Sequence, residues 1–312
     1  MLEQVVIVTR KTQHDELVER FNTRSQASFY IRQQGESFDE YEAAHVQYTR
    51  AVEALKRAVP KNVKQQVIER GFLTNYLFSE NDLVVTVGPD GLVVNTAKYL
   101  TTQAILAVNP DPGRVDGVLI PFSVEEAGEW LNRAVAGRVG VKHVSMAKAT
   151  LNDGQVMYAF NDLFIGARTH VSARYRLEYG GRAENQSSSG VIISTGAGST
   201  GWLQSIVTGA CRVAAGIAST DVTPPAPESY RLLWEAEELY FTVREPFTSR
   251  TSQAGLVFGK LSRGQSLVLR SYMPENGVIF SDGVERDYLN FNAGTIATVG
   301  VAERKANLIV RG

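Results

Sequence analysis

Cysteine and long apolar runs are scarce in this 312-residue sequence, and each scarcity excludes a class of protein. The single cysteine, Cys211, cannot form a disulfide within the chain, so we expect a reducing compartment. No apolar run approaches the roughly 18 residues that span a bilayer. The N-terminus leads into the strand-like segment Val5–Val8 without a leader pattern. We therefore predict a cytoplasmic protein with no membrane partner.

An excess of basic residues is also lacking, since 32 Lys and Arg residues balance 33 Asp and Glu residues. A net charge of −1 creates no global field that attracts nucleic acid, so no nucleic-acid partner is predicted. Histidine occurs four times, and His14, His143 and His170 have no partner at metal-ligand spacing. His45 falls on the apolar stripe of a predicted helix. We therefore predict no metal site built from histidine.

Strand and helix patterns alternate in the first third of the chain. Leu83–Val87 is almost entirely β-branched, as expected of a parallel strand covered on both faces. With the turn Gly88–Gly91 and the strand-like Ala104–Val108, it predicts a βαβ unit. Periodicity and capping residues predict these further elements: strand Val5–Val8, helix Asp15–Phe21, a buried strand at Phe29–Ile31, a helix from a Ser37/Glu40 capping box to Pro60, a helix over Val63–Arg70 ending at Gly71, and a helix over Thr96–Leu100.

Short strands separated by Gly, Asn, Asp and Pro dominate from about residue 155 onwards. The predicted strands are Val156–Phe160, Leu163–Ile165, Val171–Tyr179, Gly190–Ser194, Leu239–Arg244, Ser266–Ser271 and Val278–Phe280. One helix, beginning near Ser199, interrupts them. The sequence therefore predicts two domains, an α/β N-terminal domain with a parallel sheet over 1–122 and a β-rich, mainly antiparallel domain over 123–289. A tail from about 290 to 312 is expected to return to the first domain.

A Gly-rich turn follows the strand-like Val191–Ile193 and precedes the predicted helix. Glycines and a helix N-terminus allow backbone N–H groups to converge on an anion, so Gly196 and Gly198 suggest a phosphate site. A plain strand-to-helix turn capped by Ser199 is the alternative. A P-loop would need Gly-Lys before Ser199 and is excluded.

A dinucleotide fingerprint is a further alternative for this turn, because Gly196, Gly198 and Gly201 match its spacing, with Asp221 at the distance expected for a ribose contact. The Ala-rich segment before Asp221 is helical in character and does not read as a strand, which disfavours that alternative.

Three segments, in chain order, resemble motifs of the NAD kinase family. Gly88–Leu92 resembles its Gly-Gly-Asp-Gly-Thr, Asn161-Asp162 resembles its Asn-Glu pair, and Ser194–Trp202 resembles its Ser-Thr-Pro-Thr-Gly-Ser-Thr-Ala-Tyr segment. Val108–Gly117 resembles the Asn-x-Asp-Pro-x-Arg-Ser-x-Gly stretch of the mitochondrial-type branch. Ser281-Asp282-Gly283 resembles the Asp-Gly turn near the family's C-terminus. The resemblance extends over most of the chain.

The resemblance implies a fold, an activity and a set of site residues. Members share the NAD kinase/diacylglycerol kinase-like fold and phosphorylate the 2′-hydroxyl of the adenosine ribose of NAD. The phosphoryl donor is ATP, or polyphosphate in some members, with a divalent metal such as magnesium, and members are commonly homo-oligomers. The implied roles are as follows: Asp90 as general base; Asn161, Asp162, Ser199, Thr200, Gly201 and Trp202 in NAD binding; Gly88, Gly91, Gly196 and Gly198 in phosphate or ATP binding; no protein ligand for the metal.

Three substitutions in the first two motifs separate this chain from the family pattern. Pro89 replaces a glycine and removes an N–H donor, Leu92 replaces a threonine and removes a hydroxyl, and Asp162 is shorter than glutamate. Pro-Asp-Gly is also a turn sequence by itself. The pattern therefore leaves three alternatives open: a kinase with an altered donor pocket, a kinase of another nucleoside or lipid, and a dinucleotide-binding protein without catalysis.

Overall fold

Two β-branched strands lie side by side inside a parallel sheet in the computed structural model, which describes residues 2–218 and 222–311. The strand order of this sheet is β2-β1-β3-β4. The four central residues of β1 and most of β3 are fully buried, as their apolar runs predict. The elements of this part are β1 (Gln4–Thr9), α1 (Gln13–Phe21), α2 (Arg24–Gln33), α3 (Phe38–Ala58), β2 (Lys64–Glu69), β3 (Asp82–Val87), α4 (Asp90–Ala97), β4 (Ala104–Asn109), β5 (Phe122–Ser123) and α5 (Val124–Val135).

Two sequence predictions in this part are wrong. Phe29–Ile31 lies inside α2, where Ala27 and Ile31 are buried four residues apart and Phe29 is 66% exposed. Val63–Arg70 does not form a helix that ends at Gly71, because Lys64–Glu69 is the strand β2, paired in parallel with β1. In both cases tertiary partners override the local pattern.

Two helix starts also differ from the predicted ones. The Ser37 hydroxyl accepts the Asp39 N–H, so the predicted capping box with Glu40 is replaced by a simpler cap. α4 begins at Asp90 and ends at Ala97, several residues earlier than the predicted helix. The β3-α4-β4 unit itself is confirmed, since β3 and β4 pair in parallel.

The second part of the chain is β-rich, as predicted. Its elements are β6 (Gly140–Leu151), β7 (Val156–Ala159), β8 (Asp162–Ala167), β9 (Ala173–Tyr179), β10 (Arg182–Ser188), β11 (Val191–Ser194), α6 (Trp202–Ala218), β12 (Glu238–Val243), β13 (Phe258–Ser262), β14 (Leu267–Ser271), β15 (Gly277–Ser281), β16 (Tyr288–Asn290) and β17 (Ile296–Val310). Every strand predicted from residue 155 onwards is confirmed in position.

The β-rich part encloses its own hydrophobic core. One antiparallel sheet has the order β13-β12-β11-β8-β15-β16, and β10, β9, β14 and the start of β17 form a second antiparallel group. Alternate residues from both groups, such as Ile165 and Phe241 on one side and Tyr175 and Leu269 on the other, share one buried cluster. α6 packs on the other face of the six-stranded sheet.

Contacts divide the chain into two units, Met1–Lys142 with Asn307–Gly312, and His143–Ala306. Sequence reasoning predicted a boundary after residue 122 and a returning tail from about residue 290. α5 belongs to the first unit because Ala127 and Leu131 join the core of the parallel sheet. Asp221 lies outside the described residues. Within residues 2–218 and 222–311, no helix combines the length and hydropathy needed to cross a bilayer.

Candidate functional site

The turn after β3 brings a glycine, a proline and a carboxylate to the start of α4. Gly88 has a φ of +152°, and a Cβ there would lie 3.1 Å from Leu92 Cδ2, so glycine suits this position. The Gly88 N–H donates to the Val108 carbonyl at 3.2 Å. Pro89 is the N-cap residue of α4 and provides neither an N–H nor a side-chain cap.

The Asp90 carboxylate anchors a neighbouring loop of the first unit. Its Oδ2 accepts the Val118 N–H at 2.9 Å, and its Oδ1 accepts the Leu119 N–H at 3.0 Å. Each oxygen keeps a second lone pair that a further donor can use. Leu92, two residues on, is only 2% exposed, so this departure from the family motif places an apolar side chain in the core.

A cleft of about 330 Å³ lies in the first unit, at the carboxyl ends of β1, β3 and β4, and we call it the strand-end cleft. Ligands of α/β sheets bind at this edge, where the strand ends and helix starts present unpaired backbone groups. Its lining residues are Arg10, Thr12, Gln13, His14, Tyr41, Ala44, Tyr48, Gly88, Pro89, Pro110, Asp111, Arg114 and Val115. Gly91 is exposed and does not line the cleft.

The strand-end cleft carries positive charge from two arginines. Arg10 directly follows β1, and Arg114 lies 3.6 Å from the Asp111 carboxylate. The Tyr48 hydroxyl accepts the Arg10 N–H at 2.8 Å and donates to the Val87 carbonyl at 3.0 Å, which ties α3 to the strand ends. Burial raises the pKa of Tyr48 to about 12, so its hydroxyl stays neutral. Sequence reasoning missed both arginines and Tyr48, although Arg10 follows its strand as Gly88 follows β3.

In the second unit, Asn161 and Asp162 stand at the start of β8, and Asp282 holds their backbone. The Asp282 carboxylate accepts N–H groups from Phe160 at 3.1 Å, Asn161 at 2.7 Å and Asp162 at 3.2 Å. The Asn161 carbonyl accepts the Thr195 N–H at 2.9 Å, while its side-chain amide makes no hydrogen bond within the described part of the chain. A polar amide fixed in place but unengaged is well suited to bind a ligand.

The Asp162 side chain is the most perturbed carboxyl of this region. Burial, together with the nearby Asp282 carboxylate, raises the pKa of Asp162 to about 7, although a hydrogen bond from the Ser194 hydroxyl acts in the opposite direction. Carboxyls with such values occur at functional sites, where they exchange protons near neutral pH. Sequence reasoning identified Asp162 but missed the contributions of Ser194 and Asp282.

The Gly-rich turn packs closely on its own chain. A Cβ at Gly196 would lie 2.1 Å from the Leu233 carbonyl oxygen, and one at Gly198 would lie 2.3 Å from the Asn161 carbonyl oxygen. The Gly198 N–H donates to the Thr195 hydroxyl at 3.2 Å. Glycine is therefore required here by close backbone approach, and the turn is brought directly against Asn161.

The residues after this turn differ from the predicted helix start. Ser199 does not cap a helix, because it is buried and its hydroxyl donates to the Gly196 carbonyl at 2.7 Å. A short 3₁₀ turn over Gly198–Thr200 precedes α6. Thr200 and Gly201 are exposed, although the Gly201 N–H donates to the Gly198 carbonyl at 2.9 Å and the Gly201 carbonyl accepts the Ser205 N–H at 3.2 Å. The structure thus brings Gly198 and Asn161 together and leaves the Ser199 side chain engaged within the turn.

Trp202 begins α6 and packs on the six-stranded sheet. Its ring stacks on Phe164 at a centroid distance of 6.1 Å, and the Arg244 guanidinium lies 5.5 Å from its centroid. The indole therefore already contacts two side chains of its own unit. Its remaining exposed surface is the part that can meet a ligand.

Two histidines that the sequence separates by 31 positions meet in the first unit. The rings of His14 and His45 have centroids 4.6 Å apart, with Asp15 beside both. Sequence reasoning predicted no metal site from either histidine, because ligand spacing along the chain does not show contacts between α1 and α3.

No family model matches this chain. A curated protein from Oryza sativa subsp. japonica, named a probable NADH kinase, is 25% identical over 247 residues, which cover 72% of this chain and 69% of that protein.

Two solved structures share the fold. A yeast NADH kinase complexed with NADH matches with a TM-score of 0.58 and 15% identity, covering 100% of this chain and 84% of that one. An NAD kinase from Archaeoglobus fulgidus in complex with ATP matches with a TM-score of 0.56 and 19% identity, covering 98% and 93%. The α/β unit and β-rich unit thus have the fold of the NAD and NADH kinases. At these identities the two structures show the fold alone.

Proposed function

We propose that the protein is an NAD kinase-like phosphotransferase, which moves a phosphoryl group from ATP to the 2′-hydroxyl of the adenosine ribose of NAD. The names of the sequence relative and of both structural neighbours support this activity. The observation that carries the proposal is the Asn161-Asp162 pair. Its backbone N–H groups donate to the Asp282 carboxylate, and the Asn161 carbonyl packs against Gly198. It gives the dinucleotide an unengaged amide and a carboxyl that titrates near neutral pH.

The dinucleotide is proposed to bind in the second unit. Asn161 and Asp162 provide side-chain polar groups, and the exposed Thr200 and Gly201 provide a hydroxyl and backbone. Ser199 contributes through its backbone, because its hydroxyl is already bonded to Gly196. The exposed surface of Trp202 packs on a ring of the ligand.

The phosphoryl donor is proposed to bind in the strand-end cleft. Arg10 and Arg114 provide the positive charge that phosphates need, and Gly88 brings backbone close to the cleft. Gly91, at the N-terminus of α4, and Gly196 and Gly198, in the Gly-rich turn of the second unit, are proposed as phosphate contacts, each within its own unit.

The residues of the cleft fit a magnesium–ATP complex. Magnesium takes oxygen ligands, commonly one or two carboxylates together with phosphates, and Asp111 lines the cleft with such a carboxylate. Asp111 would hold the ion, which supplies charge neutralisation on the phosphates when bound.

A proton acceptor is needed because a ribose hydroxyl is a poor nucleophile. Asp90 is the proposed base, and Asp162 is the rival. The Asp90 carboxylate already accepts two backbone N–H groups. Burial raises the pKa of Asp162 to about 7, and a general base is most effective when its pKa lies near the operating pH.

The direct test is to incubate the protein with ATP, magnesium and either NAD or NADH, and to measure the phosphorylated product. Asp90→Asn and Asp162→Asn are compared with Asp116→Asn, an exposed carboxylate as control. Loss of the base is expected to lower kcat by about 100-fold or more. The variant that loses kcat without losing dinucleotide affinity identifies the base. Full activity in both variants would contradict the mechanism.

A second candidate function is dinucleotide binding without turnover. It is favoured by the α4 N-terminus, where Pro89 lacks an N–H and both Asp90 oxygens are bonded to the loop at Val118 and Leu119. Calorimetric binding of NAD with no product from ATP or polyphosphate would establish it. Phosphorylation of a nucleoside or of a lipid in liposomes, in place of NAD, would establish the remaining alternative.

Three finer assignments are part of the same proposal. The compartment is proposed to be the cytoplasm, the chain is proposed to be closest to the mitochondrial-type branch, and the protein is proposed to form a homo-oligomer. Exposed apolar side chains on the outer half of α6, with Val213 63% and Ile217 82% exposed, support the last of these. Sedimentation velocity of the purified chain tests it.

A further inference from the structure

Three side chains with metal-ligand chemistry meet where α1 crosses α3. Asp15 Oδ1 lies 3.3 Å from His45 Nδ1 and 3.7 Å from His14 Nδ1. One ligand atom from each residue lies within 4.8 Å of the other two. All three side chains are partly exposed, so an ion can reach them from solvent. We call this group the His-Asp-His cluster.

The two oxygens of Asp15 have different partners. Oδ2 accepts the Thr12 N–H at 2.9 Å and the Thr12 hydroxyl at 2.7 Å, which completes the capping box of α1. Oδ1 is the oxygen that faces both histidines. Thr12 therefore orients the carboxylate, as a hydrogen-bonding residue behind a metal ligand does.

His14 supplies an independent observation. Its Nδ1 is buried and has no hydrogen-bond partner within the described part of the chain. An unpaired buried polar atom costs free energy, about 1–3 kcal/mol in protein variants, and calls for an explanation. The atom lies on the side of the ring that approaches Asp15 Oδ1. A cation between them would satisfy it.

The observed separations fit one metal ion. Two ligand atoms that each lie about 2.1 Å from a tetrahedral zinc ion are roughly 3.4 Å apart. The separations of 3.3 and 3.7 Å between Asp15 Oδ1 and the two imidazole nitrogens lie close to this value. His45 Nδ1 is also 2.9 Å from the Thr12 hydroxyl, a hydrogen bond that the metal would replace.

We propose that His14, Asp15 and His45 form a binding site for one divalent transition-metal ion, with zinc as the best-fitting probe. Two imidazoles and one carboxylate suit zinc and its neighbours, whereas magnesium prefers an all-oxygen set. The site is thus chemically distinct from the magnesium of a nucleotide. Three protein ligands leave one position open, and His14 lines the strand-end cleft, so the ion adds positive charge to the wall of that cleft.

Zinc binding to the chain without nucleotide tests the proposal independently of any kinase activity. Metal-stripped protein is titrated with zinc against a chromophoric chelator, and bound zinc is counted after dialysis. One equivalent per chain is expected. His14→Asn and His45→Asn should each weaken zinc binding by at least about 10-fold. His170→Asn is the matched control, because His170 is an exposed histidine of the second unit.

Thr12 gives a positioning test with a conservative partner. Thr12→Ser keeps the hydroxyl that holds Asp15 Oδ2, so it should retain zinc affinity, whereas Thr12→Val should lose about 10-fold or more. Circular dichroism checks that each variant folds. If a histidine variant unfolds, the wild-type protein is tested by NMR of its histidine ring nitrogens. Zinc is then expected to shift the imidazole signals of His14 and His45.

Three results would overturn the assignment. Unchanged zinc affinity in the His14 and His45 variants would show that the metal binds elsewhere. Zinc-induced NMR shifts confined to His143 or His170 would show the same. Magnesium competing with zinc at equal concentration would show that the site lacks the nitrogen ligands that the proposal requires.

Discussion

The carboxylate of Asp282 accepts the backbone N–H of Asn161 at 2.7 Å, although 121 positions separate the two residues. The same carboxylate accepts the N–H groups of Phe160 and Asp162, so one turn near the end of the chain holds three consecutive peptide groups. The Asp282 N–H in turn donates to the Asp162 carbonyl at 2.9 Å. Residues proposed to contact the dinucleotide are thus positioned by a turn that is remote in sequence.

Replacing Asp282 with Asn should weaken both folding and binding. Asp282 has a φ of +56°, which Asn also tolerates, so the substitution removes charge and acceptor capacity with little backbone strain. We expect a loss of about 1–3 kcal/mol in the free energy of unfolding, measured in urea. NAD affinity, measured by calorimetry, should fall as well. Asp116→Asn, at an exposed carboxylate, should change neither value.

The raised pKa of Asp162 predicts a pH-dependent stability difference. Burial raises its pKa from 3.8 to about 7 in the folded state, so between these values the folded chain holds a proton that the unfolded chain has lost. The free energy of unfolding of the wild type, relative to Asp162→Asn, should therefore fall as pH rises from about 4 to about 7 and stay level above. A difference that rises with pH would contradict the assignment.

Glu303 should show the opposite sign. Partial burial opposes the shift, but hydrogen bonds from Tyr158 and Lys148 lower the pKa of Glu303 to about 2. The unfolded chain then holds the extra proton between about 2 and 4.5, so this contribution to stability is present above 4.5 and is lost as pH falls. Urea unfolding of Glu303→Gln against the wild type over acid pH measures it. The size should be small, because the Glu303 side chain is 58% exposed to solvent.

Gly198→Ala should disturb the dinucleotide region. The new Cβ would lie 2.3 Å from the Asn161 carbonyl oxygen, and backbone has to move to relieve the clash. We expect about 1–3 kcal/mol of lost stability together with weaker NAD binding. Gly209→Ala is the control: its Cβ meets no atom within 4 Å inside α6, so higher helix propensity should stabilise the chain by up to about 1 kcal/mol.

Leu92→Thr restores a residue of the family motif, yet it should destabilise this protein. Leu92 is 2% exposed, so a threonine there would bury a hydroxyl and would fill less of the apolar core. We expect the free energy of unfolding, measured in urea, to fall by about 2 kcal/mol. Pro89→Gly should instead restore an N–H donor at the start of α4 and lower the KM for ATP. A Leu92→Thr variant with unchanged stability would show that the site tolerates a polar side chain.

Local patterns in the sequence determined many of the sheet strands and most of the candidate residues. β1, β3 and the predicted strands after residue 155 follow from β-branched runs and alternation, because burial on a sheet face dictates residue type along a few consecutive positions. The strands β6, β10, β13, β16 and β17 were not predicted. Asp90, Asn161 and Asp162 were identified from short motifs, and the structure places Asn161 and Asp162 together at the start of β8. The motif resemblance also predicted the fold that the structural neighbours share.

Only the tertiary structure decided which strands pair and which side chains distant in sequence come into contact. Lys64–Glu69 has a polar, helix-like pattern and is a strand only because β1 offers it an open parallel edge. His14 and His45 meet only because α1 packs on α3, and Asp282 reaches Asn161 only through the pairing of β15 with β8. Contacts between distant positions depend on which faces are buried together, a property of the whole packed core that no short stretch of sequence contains.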